Sequence, residues 1–174
     1  MAWEEGAGHT AHSPCFSGIH MAFNLEEARE AFEQFLMLMD GQIQWLVAQA
    51  QMQGIELDSS PESLDRLERL HDLMAATLSE DERDSLRVVF ARYLGETVRL
   101  VHGGKWTLPL DDPKDINFNR PVIMGHSRHP LCEFSPIHAI RAYSLRRRPG
   151  LIRSIVASSV NPQILDLSDL AEED

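Results

Sequence analysis

The chain has 174 residues, of which 43% are hydrophobic and 25% charged, with a net charge of −11. That length fits one domain able to bury a core without staples, and the acidic balance argues against a general nucleic-acid binder, whose affinity rests on neutralising phosphates. No apolar run approaches the ~18 residues needed to cross a bilayer.

Residues 1–20 are rich in Gly, His, Ser and Ala and show no period. They read as a disordered leader or as sequence foreign to the natural chain, with Met21 as the natural start. The stretch has no Lys or Arg and no apolar run, so it is not read as a secretory signal. Cys15 and Cys132 are far apart and imply no disulfide framework, which fits a reducing, cytoplasmic setting.

A single α+β domain is expected over residues 21–160, mainly helical, with about five helices and a small antiparallel sheet of two or three strands. The first helix is expected over 24–53: Asn24 caps it, Glu27 completes a capping box, and Gly54 stands at the C′ position. A main stripe including Phe32, Phe35, Met39, Leu46 and Ala50 is joined by a side row of Leu38, Trp45 and Met52, spaced by sevens. That apolar face is wider than a surface helix needs. Its own domain is expected to grip the helix on two sides; the alternative is that the row meets another chain, including a second copy in a homodimer. Asp40-Gly41 marks a point where the helix can bend.

A second helix is expected from Ser60-Pro61 to about residue 78, with Leu64, Leu67, Leu70 and Met74 inward. Its charged residues Asp65, Arg66, Glu68, Arg69 and Asp72 read as a solvated face of i, i+3 and i+4 pairs.

The third helix organises the chain. Ser79 and Glu82 form a capping box, and Leu86, Phe90, Tyr93, Leu94 and Thr97 recur at helical spacing. On the opposite side, Val88, Ala91 and Gly95 suggest that another element approaches closely. Glu96 is expected to pair with Arg92 or Arg99. Gly103-Gly104 closes the helix, and Trp106 then reads as a plug at the helix–sheet junction.

Short strands are expected over 106–110 and 118–125, joined by the polar loop 111–117. Pro109 and Pro121 demote both to edge or irregular strands. Ser135-Pro136 opens another helix to about residue 148, and a last helix covers 151–159 before Asn161-Pro162. Residues 161–174 form an acidic tail, free or folded back on nearby arginines.

Three constellations are candidate sites. Arg146, Arg147 and Arg148, with Arg141 and Arg153, make a positive cluster in an acidic chain, suited to an acidic partner or to internal ion pairs. Asp111, Asp112 and Asp115 in the polar loop, and Trp45 in the side row, are the other partner-binding candidates. His126, His129, Cys132 and His138 fall within thirteen residues, but their spacing matches no usual zinc pattern. No cofactor or catalytic residue is expected. The alternative is a small metal-dependent enzyme using that loop.

Tyr93-Leu94-Gly95-Glu96, then Gly103-Gly104-Lys105-Trp106, Pro121-Val122-Ile123-Met124-Gly125 and Ser135-Pro136 form a skeleton across roughly residues 60–159. It resembles a loose group of small bacterial α+β proteins that includes ones similar to immunity proteins of toxin systems. The resemblance implies a non-catalytic inhibitor module that occludes a cognate toxin, and it carries no active site to transfer. An acidic inhibitor suits a basic toxin domain as protein partner, with no nucleic acid and no membrane involved.

Overall fold

The structure is a computed structural model that describes residues 23–163; the leader over 1–20 and the tail beyond Gln163 lie outside the described residues. Among the described residues, six helices and three short strands follow one another: α1 Leu25–Met37, α2 Met39–Met52, α3 Ser63–Ala75, α4 Glu80–His102, β1 Lys105–Thr107, β2 Val122–Met124, β3 Glu133–Phe134, α5 Pro136–Arg146 and α6 Leu151–Val160. The mainly helical α+β expectation holds, with six helices in place of five because the first one is broken. No helix of the described residues is long and apolar enough to cross a membrane.

α4 is the central element. The capping box is formed in full: Ser79 N–H donates to Glu82 Oε2 at 2.8 Å, and the Ser79 hydroxyl accepts from the Glu82 amide. Phe90, Tyr93, Leu94 and Val98 are buried, and α2, α3 and α5 pack around them. The Tyr93 hydroxyl donates to Ser63 Oγ at 3.0 Å and accepts from Ser59 N–H at 2.9 Å, fixing the entry to α3.

The second face of α4 is closely approached, as its small residues indicate. A Cβ on Gly95 would lie 2.2 Å from the Trp106 ring, with Pro136 Cγ at 3.0 Å. Glu96 accepts from Trp106 Nε1 at 2.6 Å and from Arg99 Nη2 at 2.8 Å. Burial pushes the Glu96 carboxyl up, but these hydrogen bonds and the Arg99 charge outweigh it and hold the group below its usual range. Gly104 has φ +95°, and a Cβ there would meet the Met124 carbonyl oxygen at 2.5 Å, so the β1–β2 pair closes only over glycine.

The sheet order is β1-β2-β3, both pairs antiparallel. β2 is therefore central, which corrects the edge position expected from Pro121. That proline precedes the strand, and its missing N–H costs the ladder nothing. β3 places Phe134 against Ile123.

The charged face expected of α3 is also corrected. Glu68 is buried, and its carboxylate accepts the amides of Gly150 and Ile152, both at 2.7 Å. Asp65 pairs with Arg153 at 2.7 Å, Asp72 with Arg147, and Arg66 with Asp58 at 2.8 Å. These partners lie on other segments instead of one helical turn away.

Candidate functional site

α1 and α2 meet at Leu38, not at Asp40-Gly41. The break coincides with Arg92 of α4: its Nε donates to the Phe35 carbonyl at 3.2 Å, and its guanidinium lies 4.2 Å from the Phe35 ring centre. Arg92 also hydrogen-bonds Gln42 across the bend. A side chain that claims a last-turn carbonyl is a recognised cause of a helix kink. α2 then buries Met39, Leu46 and Ala50.

The side row stays outside. Leu38 and Trp45 are each 45% exposed and Met52 is 69% exposed. The expectation that the domain grips this helix on two sides fails for that row among the described residues. The reason is geometric: α4 packs on α2, whose buried residues are Met39, Leu46 and Ala50, and the row is left at the margin of that contact, only partly covered. Met37 next to the elbow is exposed as well. Over residues 24–53 there are five carboxylates, Glu26, Glu27, Glu30, Glu33 and Asp40, against Arg29 alone, for a net charge of −4. The α1–α2 unit thus presents large apolar side chains on an acidic segment.

The other candidates are engaged within the fold only in part. Arg147 pairs with Asp72 and Arg153 with Asp65, so part of the positive cluster is neutralised internally. Arg141, Arg146 and Arg148 are exposed and form no ion pair among the described residues. In the polar loop, Asp112 accepts the Lys114 amide at 2.9 Å and Asp115 the Asn117 amide at 2.6 Å. Asn117 passes the tie on to Glu133 at 2.9 Å. Asp111, Asp112 and Asp115 are exposed.

The histidine–cysteine set divides. His126 is 4% exposed, with Nε2 2.6 Å from Ser159 Oγ. Cys132 Sγ donates to the Ser159 carbonyl at 3.3 Å and lies 3.9 Å from its hydroxyl. His138 instead faces Arg120 at 2.7 Å, and His129 is exposed. Among the described residues, no group of three or more His, Cys, Asp or Glu is placed to hold a metal. Ser159 is the member that sequence spacing did not reveal, because it arrives from α6, 33 residues beyond His126. A hydroxyl at that distance from an imidazole has nucleophile–base geometry. His126 Nδ1, however, is buried and, among the described residues, has no carboxylate beside it to orient the ring.

Three histidines are held below their ordinary value. Burial is the main cause for each, reinforced by Arg147 at His71, by His102 at His126 and by Arg120 and Arg141 at His138. His71 is seated edge-on between Phe90 and Tyr143, with Nε2 2.9 Å from Ser144 Oγ, and Asp72 partly counters the shift. A depressed folded-state pKa means the unfolded chain takes up the proton first. Stability is therefore full above about 6.5 and falls as the pH drops below it. Urea midpoints measured from pH 7 to pH 5 should fall steadily, with up to three protons taken up on unfolding. His71→Phe should flatten that slope, and a flat wild-type profile would contradict the burial of these rings.

No protein-family model, no curated protein and no solved structure matches the chain.

Proposed function

We propose that the protein is a non-catalytic binding module that takes a basic protein domain onto its α1–α2 face and neutralises it by occlusion, in the manner of an immunity protein against a toxin. The observation that carries this reading is the row Leu38, Trp45 and Met52 left facing solvent on a segment of net charge −4. Exposed tryptophan and methionine in one patch are what interfaces bury as anchors. The surrounding carboxylates would steer a basic partner and fix its approach. The same charge disfavours the homodimer, because two copies of this face would bring like charges together.

Trp45→Glu tests the reading, since the residue is half exposed and its loss should leave the fold intact. Wild-type protein should sediment as a monomer and bind a basic protein whose affinity falls with salt. The variant should bind about 30-fold more weakly, the loss of one interface anchor. Co-expression of wild type, but not of the variant, should relieve any growth defect that the partner causes. A wild-type dimer dissolved by Trp45→Glu would replace this reading with the homodimer. A second reading, acyl-transfer chemistry at Ser159, rests on the His126–Ser159 distance; organophosphonate labelling lost in Ser159→Ala would establish it.

A further inference from the structure

A groove of about 340 Å³ runs between the end of α4 and α6, floored by Leu64, Val98, Val156 and Val160 and walled by Val101. It is apolar apart from its rims, where Arg153 and His102 stand. Val101 is 42% exposed although it continues the inward stripe of α4. Beyond His102, a second depression carries Arg128 and Asn161 and shares Val101 and Val160 with the first. The result is a greasy trough with cationic or titratable groups at its ends.

The chain itself leads out of this trough. Val160, the last residue of α6, lines it, and Asn161-Pro162 follows at once. That pair favours reversal of chain direction. Residues 164–174 read I-L-D-L-S-D-L-A-E-E-D. Ile164, Leu167 and Leu170 recur at threes, and Asp166, Asp169 and Glu173 fall on another side, the pattern of an amphipathic segment. The groove along α6 from Val160 back to Arg153 is about 10 Å long at ~1.5 Å per residue. Eleven residues span about 16 Å as a helix and ~36 Å extended, so either form reaches its far end.

We infer that segment 164–174 occupies this groove, laying Leu167 and Leu170 over Val101 and Val156 and setting its carboxylates against Arg153 and His102. Arg153 is bound to Asp65 through Nε and Nη2, which leaves Nη1 with no partner among the described residues. A tether of a few residues holds the segment at an effective concentration in the millimolar range, which favours it over a free ligand of similar chemistry. The inference does not rest on the partner-binding reading, because it uses neither the row on α2 nor its charge.

Methyl-labelled full-length protein tests it by nuclear Overhauser contacts. Cross-peaks are expected from Leu167 or Leu170 methyls to those of Val98, Val101, Val156 or Val160. The double variant Leu167→Asp, Leu170→Asp should abolish them and shift the groove methyls, with the core methyls of Phe90's neighbours unmoved. Val101→Asp should abolish them from the groove side. Absence of cross-peaks in the wild type overturns the inference. So do cross-peaks seen only between differently labelled chains in a mixed sample, which would assign the groove to a second copy.

Discussion

Gly95→Ala is expected to destabilise the protein by about 2–3 kcal/mol, although alanine is the better helix former by ~1 kcal/mol. The new methyl would stand 2.2 Å and 2.3 Å from two atoms of the Trp106 ring. Those atoms belong to a rigid indole that cannot step aside cheaply. Its Nε1 donates to Glu96 at 2.6 Å, and its ring packs edge-on to Phe35 at 5.2 Å between centroids. Moving it would break a charge-assisted hydrogen bond and open a gap beside α1. On the other side Pro136, at 3.0 Å, starts α5 and is equally fixed. Overpacking of this kind costs roughly 1–3 kcal/mol, and more where no neighbour yields. A double-mutant cycle makes the cause visible. With Trp106→Ala already present, the severe clash is gone and only the tight contact to Pro136 at 3.0 Å remains, so the cost of Gly95→Ala should fall sharply, offset in part by its helix propensity. Equal destabilisation in both backgrounds would show that the cost lies elsewhere than at the indole.

The same contact explains which features were legible in the sequence. The capping box at Ser79 and Glu82, the small-residue face around Gly95 and the proline that opens α5 are local signals, and each is realised, although the Ser135 hydroxyl beside that proline makes no capping hydrogen bond. Gly95, Glu96, Gly104, Trp106 and Pro136, the most motif-like residues in the chain, turn out to contact one another or to set the turns between them, while Tyr93 ties α4 to the start of α3. Their spacing encodes architecture, so it points to a fold and is silent on chemistry. What escaped the sequence was encoded at a distance. The kink of the first helix was expected at Asp40-Gly41 because glycine weakens a helix; it falls at Leu38 because Arg92, 57 residues from Phe35, takes that carbonyl. Ser159 has no local mark, since its significance lies wholly in the approach of His126 and Cys132. The side row on α2 was legible as surplus apolar surface, yet whether it is covered depends on how α4 packs, which no periodicity states.

Replacing Glu68 should be the most damaging change at a charged position. From sequence it belongs to a solvated helix face; in the fold it is 4% exposed and caps the first turn of α6 from 82 residues away. Gly150 at the N-cap position has no side chain to accept the amides there. The two Glu68 oxygens do so, one for Gly150 and one for Ile152. They also place negative charge at the positive end of the helix dipole. Glu68→Leu would remove the carboxylate but leave both donors unpaired, at about 1–3 kcal/mol each. A net loss of about 3 kcal/mol is expected, with hydrogen-exchange protection failing first in α6. Glu68→Gln is nearly isosteric but offers one acceptor oxygen and sets its NH2 against the second amide, so it should lose at least ~2 kcal/mol. The pH dependence weighs the burial of the carboxylate against its amide bonds. Burial pushes the Glu68 carboxyl up, the two amides pull it down, and Asp65 and Asp72 push it up again, with a raised value as the result. A raised folded-state pKa means the folded chain keeps the proton longer than the unfolded one. The contribution of Glu68 is thus greatest below the ordinary value near 4.5 and declines as the pH rises through the folded-state value. The stability gap between wild type and Glu68→Gln, which cannot titrate, should narrow over that range while remaining positive at neutral pH. A glutamine variant as stable as wild type at pH 7 would mean that α6 is held in place without its cap, whereas a gap that widened with rising pH would mean that the two amide bonds outweigh the burial of the carboxylate.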